Sequence, residues 1–265
     1  MNLSHHPLDD RLPAMLASGR RLRGVFNSLP SPAIVEMCGY AGFDFVIIDN
    51  EHGSADFETT ENMLRAARAS GIVPVVRCLR HDISRVLDMG ASAVQIPMVA
   101  SAEEARDLVQ QVRYPRGGRR GSAFSPRAAG YGAFPGIPHT ERSNAGIALI
   151  VMIETPEAVA QAAEIAAVPG VDAVFVGPND LSHSMGFDND WKSAPVLGEI
   201  ERALRAISAA GNCAGVIALT PEDEELFGAW GARYFAGVTT GLITRAFQQA
   251  SAAGGRLAST GELRY

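Results

Sequence analysis

Residues 147–182 read IALIVMIETPEAVAQAAEIAAVPGVDAVFVGPNDLS. Two short apolar runs, 147–153 and 171–176, flank a longer amphipathic stretch at 156–167. The runs are Val- and Ile-rich and nearly continuous in apolarity, the pattern of strands covered on both faces. Thr155-Pro156-Glu157 starts the intervening helix with a capping hydroxyl, a proline at its first position and an acidic first turn. Pro169-Gly170 stops it. The segment is therefore a strand–helix–strand unit with a parallel sheet implied.

The same rhythm extends in both directions. Further strands are predicted at 24–27, 43–49, 72–77, 93–97, 213–218 and 233–238. Helices are predicted at 32–40, 56–69, 82–90, 101–113, 196–210, 221–230 and 240–254. Ser101 and Thr220-Pro221-Glu222 repeat the start signal, and Gly42, Gly71, Gly90, Gly211 and Gly231 repeat the stop. Eight such units predict a (β/α)8 TIM barrel, one domain over 1–265. An open doubly wound sheet is the competing fold, but its glycine fingerprint is missing: the first turn reads GVFNSLPSP. Residues 114–146, rich in Gly, Pro and Arg, break the rhythm. They are read either as a lid or subunit contact, or as a solvated excursion.

The 265 residues suit one such barrel, which needs about 250. A net charge of -6 argues against nucleic acid or anionic membrane as a partner. The opening MNLSHHPLDDRLPAML is too polar and acidic for a signal peptide, and no segment reaches about 18 apolar residues. Cys38, Cys78 and Cys213 are scattered, which fits a reducing cytoplasm. Among 23 basic residues the only lysine is Lys192, in the polar stretch DNDWKSAP. Schiff-base chemistry needs a lysine in a dry pocket, so imine and pyridoxal readings fall away.

In this fold the chemistry sits where the strands end. Those ends carry Asn27 and Ser28, then Asp49-Asn50-Glu51-His52-Gly53, Arg77, Gln95, Glu154, and Gly177-Pro178-Asn179-Asp180. Glu154 and Asp180, from neighbouring strands, suit an oxygen-bound divalent ion, Mg2+ or Mn2+ with Co2+ as a third candidate. Zinc lacks a second His or Cys nearby. The plainer reading makes Asp180 the cap of a helix beginning at Leu181, and Glu154 a cap of the helix after Thr155. Arg77 suits a substrate carboxylate or an enolate oxygen; the plainer reading pairs it with Glu51 or Asp49. His52 is the natural proton shuttle, with Asp88 or Asp49 to orient it. His183 is read as bystander. Residues 237–241, GVTTG, are either a phosphate site or a turn.

The segments FDFVIIDNEHG, PVVRC, GASAVQIPMV, RYPRGGRRG, LIVMIET and GVDAVFVGPNDLS, in this order, resemble the HpcH/HpaI aldolase family. These are metal-dependent class II pyruvate aldolases, of the 4-hydroxy-2-oxoheptanedioate aldolase type. The resemblance implies a barrel that reversibly cleaves a 4-hydroxy-2-oxo acid to pyruvate and an aldehyde, through a metal-stabilised enolate. It implies that Glu154 and Asp180 hold the metal, that His52 is the base with Asp88 in support, and that Arg77 steadies the enolate. It assigns the pyruvate carboxylate to the backbone around Gly177, Pro178 and Asn179, and counts Asp180 among the substrate contacts as well as the metal ligands. It also implies a homohexamer, with the last helix packed on a neighbour. Members often carry Gln two residues before the metal Glu, where this chain has Met152, and a thioether cannot replace an amide donor at the substrate. Two other readings stand beside it. One is an acyl-CoA lyase of the citrate lyase β type, with Arg113, Arg116, Arg119, Arg120 and Arg127 as a nucleotide groove. The other is a non-catalytic barrel.

Overall fold

The computed structural model describes residues 6–257. Eight parallel strands close into a barrel in sequence order. They are β1 (Leu22–Asn27), β2 (Phe45–Asp49), β3 (Val73–Arg77), β4 (Ala93–Ile96), β5 (Ala148–Ile153), β6 (Ala173–Val176), β7 (Cys213–Ile217) and β8 (Ala232–Val238). The predicted (β/α)8 TIM barrel is thus the fold. Each predicted strand is present, with its ends no more than two residues from the predicted positions.

The reason is visible in the side-chain alternation. Phe45, Ile47, Val73, Val75, Ile150, Met152, Phe175 and Tyr234 fill the barrel interior. Their chain neighbours Val46, Ile48, Val76, Leu149, Val151 and Val174 face outward into the shell beneath the helices. Both faces are apolar because both are covered, so the strands read as continuous runs. Phe45 stacks on Tyr234 with ring centroids 4.1 Å apart.

The helices are α1 (Leu12–Ala17), α2 (Pro32–Tyr40), α3 (Phe57–Ser70), α4 (Ile83–Asp88), α5 (Ala102–Val112), α6 (Ile137–Gly146), α7 (Pro156–Ala160), α8 (Ala162–Ala166), α9 (Pro178–Ser184), α10 (Ala194–Ala209), α11 (Pro221–Ala229) and α12 (Thr239–Leu257). Leu12 and Leu16 of α1 pack in the same cluster as the barrel interior. The helix predicted at 156–167 is two, divided at Gln161, whose φ and ψ of -101° and 10° leave the helical region.

The 114–146 stretch is no structureless excursion. It holds a 3-10 turn at Arg127–Gly132 and then α6. Arg120 is fully buried over the Tyr114 ring, and its Nη2 donates to Asp88 Oδ1 at 2.7 Å. Arg127 donates to the Met89 carbonyl at 2.7 Å. Arg113 donates to the Ile147 carbonyl, and Arg119 is paired with Asp107. Four of the five arginines proposed for a nucleotide groove are therefore engaged within the chain. The 237–241 stretch is the end of β8 running directly into α12, not a separate turn.

Candidate active site

The turn after β2 is organised by Asp49. Its Oδ1 accepts from the backbone N–H of Glu51 at 3.2 Å and of His52 at 3.3 Å. The chain turns so tightly that a Cβ on Gly53 would lie 2.0 Å from the Asp49 carbonyl oxygen, so only glycine fits. Asp49 also takes a two-pronged pair from Arg77, with Nε at 2.8 Å and Nη2 at 2.6 Å. Burial works to raise the Asp49 carboxyl, but the Arg77 hydrogen bonds and charge outweigh it and hold it below the usual carboxylate range. Arg77 Nη1 lies 3.3 Å from Glu51 Oε2, and its guanidinium sits 4.8 Å from the centre of the Phe26 ring. The pairings with Asp49 and Glu51 are both made, and they aim the arginine at the barrel mouth rather than withdrawing it.

Glu154 follows β5 directly and is 3% exposed. Its Oε2 accepts from the Met98 N–H at 2.7 Å. Met98 holds a left-handed φ of 56°, unusual for a residue with a side chain, just where its N–H meets this carboxylate. A Cβ on Gly177 would come within 2.6 Å of Oε1, so the glycine keeps that oxygen approachable. Asp180 lies in the first turn of α9, whose N-cap is Gly177 rather than Asp180. Thr155, not Glu154, caps α7, its hydroxyl accepting from the Ala158 N–H. Neither carboxylate is committed to the capping role the plainer reading gave it.

These groups share one cavity of about 330 Å³. It is lined by Phe26, Ser28, Asp49, His52, Arg77, Met152, Glu154, Gly177, Pro178, Asn179, Asp180, His183, Asn189, Ile217 and Val238. Burial, then the charges of Asp180 and Glu51, push the Glu154 carboxyl up to about 7. The proximity of two like charges is the condition a divalent cation relieves. Among the described residues no three His, Cys, Asp or Glu groups cluster as metal ligands. The donor set is thus two carboxylates with room for waters and substrate oxygens. That fits a hard cation such as Mg2+ or Mn2+ and not a closed structural site.

The raised carboxyl has a consequence for stability. The unfolded chain releases this proton near pH 4.5, whereas the folded chain keeps it until about 7. Between those values the folded state binds more protons, so stability falls as pH rises. In EDTA, denaturant unfolding of the parent should lose roughly 3 kcal/mol relative to Glu154→Gln across that window. Parallel pH profiles for the two proteins would show that Glu154 ionises normally.

Of the residues expected from sequence, ten line the cavity: Ser28, Asp49, His52, Arg77, Met152, Glu154, Gly177, Pro178, Asn179 and Asp180. Asp88 does not; it ends α4 and faces Arg120, so within one chain Asp49 is the carboxylate that ties down the His52 turn. Asn27 turns away from the mouth, its amide donating to the Leu29 carbonyl. Gln95 is fully buried in β4, and its amide has no hydrogen-bond partner among the described residues. Phe26, Ile217, Val238, His183 and Asn189 were not anticipated in the cavity. The first three follow from inward alternation at strand ends, where apolar side chains line the mouth beside the polar ones.

Residues 22–246 match the family described as HpcH/HpaI aldolase/citrate lyase. The chain belongs to this family. It is 38% identical over 238 residues to a hydroxypyruvate/pyruvate aldolase of Delftia acidovorans, covering 88% of each chain. A hydroxypyruvate/pyruvate aldolase of Deinococcus radiodurans is 40% identical over 246 residues, 91% of this chain and 88% of that one. The crystal structure of an HpcH/HpaI aldolase/citrate lyase family protein from Burkholderia cenocepacia aligns with a TM-score of 0.87 and 32% identity, over 91% of this chain and 98% of the other. The aldehyde-lyase class expected from sequence is supported by these aldolases, and the family motifs quoted above all fall inside the matched span. Among the described residues no helix is long and apolar enough to cross a membrane.

Proposed function

We propose that this protein is a divalent-metal-dependent aldolase that reversibly cleaves a 4-hydroxy-2-oxo acid to pyruvate and an aldehyde. The observation that carries the reading is the pair Glu154 and Asp180 beside Arg77 in one cavity. A cation held by those two carboxylates (Mg2+, Mn2+ or Co2+) would supply Lewis acidity at the 2-oxo oxygen and so lower the barrier to a carbanion at C3.

The chain's own groups do the rest. His52 takes the proton from the C4 hydroxyl. The C3–C4 bond breaks, its electron pair stays with the pyruvate half, and the aldehyde leaves. The same imidazole returns the proton to C3. Arg77 opposes the negative charge that develops on the oxygens; Asp49 holds it in place before substrate arrives, so little reorganisation is needed. At the start of α9, Gly177 N–H is engaged with the Ile153 carbonyl and Pro178 has none, which leaves the N–H groups of Asn179 and Asp180 for the pyruvate carboxylate. Met152 keeps the floor apolar where relatives often offer an amide.

Leu242 and Phe247, exposed on α12, support packing of that helix on a second copy in the expected hexamer. The free thiols of Cys38, Cys78 and Cys213 support a reducing, cytoplasmic setting. A pyruvate-release screen of 4-hydroxy-2-oxo acids tests the reading. Turnover should vanish in EDTA and return with added Mg2+, Mn2+ or Co2+. Undiminished turnover after exhaustive chelation would end the metal-dependent proposal.

A further inference from the structure

We propose that Asn189 selects the aldehyde partner by hydrogen-bonding a hydroxyl on it, an inference that rests on the aldolase reading above. Asn189 lines the cavity but comes from neither a strand end nor α9. It sits at the apex of the connection between α9 and α10. Asp188 and Asn189 both hold left-handed backbone, with φ of 45° and 69°. Asp and Asn adopt that region more readily than other residues with side chains, yet two in succession need support.

The support is present on both sides of the apex. Phe187 N–H donates to the Ser182 carbonyl at 2.8 Å, and Asp190 N–H to the Phe187 carbonyl at 2.8 Å. Trp191 packs on Phe227 of α11 with centroids 6.1 Å apart. Lys192 Nζ is paired with Asp223 Oδ1 at 2.8 Å and lies 4.9 Å from the Trp191 ring centre. The one lysine of the chain thus fastens this connection to α11. The loop is held from both sides while its exposed apex residue lines the cavity.

That side chain has no hydrogen-bond partner among the described residues, and the 2-oxo acid chemistry assigned above does not use it. An amide offers donors and an acceptor together, which matches a hydroxyl and gives nothing to a methylene. Glu154, Asp180, Arg77 and His52 are assigned to the reacting carbons, so the apex is left for the portion of substrate beyond C4. A site built to bond a hydroxyl discriminates against the analogue lacking it.

The test compares kcat/KM for aldol addition of pyruvate to glyceraldehyde and to propionaldehyde. The variants are Asn189→Gly, which removes the side chain and keeps the left-handed backbone, and Asn189→Asp, which keeps an acceptor in the same backbone region. The glyceraldehyde-to-propionaldehyde ratio should fall about tenfold in Asn189→Gly, the worth of one hydrogen bond, and by less in Asn189→Asp. A purely structural role would lower both aldehydes together and leave the ratio in place; that result, or a ratio equal to the parent's in both variants, overturns the inference. Absence of addition to either aldehyde by the parent enzyme overturns the aldolase reading itself, and this inference with it.

Discussion

Replacing Glu154 by alanine is expected to abolish cation-dependent aldol cleavage, a loss of at least about 10³-fold, since several kcal/mol of charge stabilisation leave with the cation. The residue is buried, has one internal donor in Met98 N–H, and turns its other oxygen toward Gly177. Activity and folding should separate in this variant. Burial and the Asp180 charge both oppose ionised Glu154. Removing that carboxylate therefore relieves the cation-free protein, and Glu154→Gln should melt no lower than the parent in EDTA above pH 7. The parent should gain stability from Mn2+ by mass action, and neither variant should. Full cation-dependent turnover in Glu154→Ala would refute the assignment of this carboxylate.

The second large effect is expected at His52. Alanine there should slow exchange of the pyruvate methyl protons into deuterated water by roughly 10²–10⁴-fold, the range for a lost general base. The imidazole is 66% exposed, and its Nε2 is 3.8 Å from Glu51 Oε2. Little packing is lost with it, and the turn that carries it is held by backbone N–H groups on Asp49, which the substitution leaves intact. A slow exchange rate in a variant that melts with the parent assigns the proton to His52. Exchange at the parent rate removes His52 from the base role. The measurement involves no aldehyde and is independent of the behaviour of Asn189.

The barrel was legible because its strands are covered on both faces, so that runs such as IALIVMI carry an unambiguous apolar signal. The helices that escaped detection lack a periodic apolar face or lack length. Residues 137–146, IPHTERSNAG, hide a helix in polar and glycine-bearing sequence. The short helix that the plainer reading starts at Leu181 begins three residues earlier, at Pro178 directly after β6, with no linker to mark its start. The strand-end rule led to Glu154, Asp180, Arg77 and His52 because that rule is a property of the fold. It had no purchase on Asn189, which reaches the mouth from a connection nine residues beyond Asp180. Nor does it foresee the partner of Asp88: Arg120 lies 32 residues further on, inside a segment read either as a lid or subunit contact or as a solvated excursion.

The ion pair between Lys192 and Asp223 has a practical side. Lys192 is the sole ε-amine, and its side chain is 56% exposed. Apart from the α-amine, an amine-reactive dye or resin therefore has one place to attach. That place is three residues from the apex of the cavity-lining connection, so a fluorophore coupled there would sit where it can report events in that cavity, and a bead coupled there would tether each molecule in a single orientation beside its own entrance.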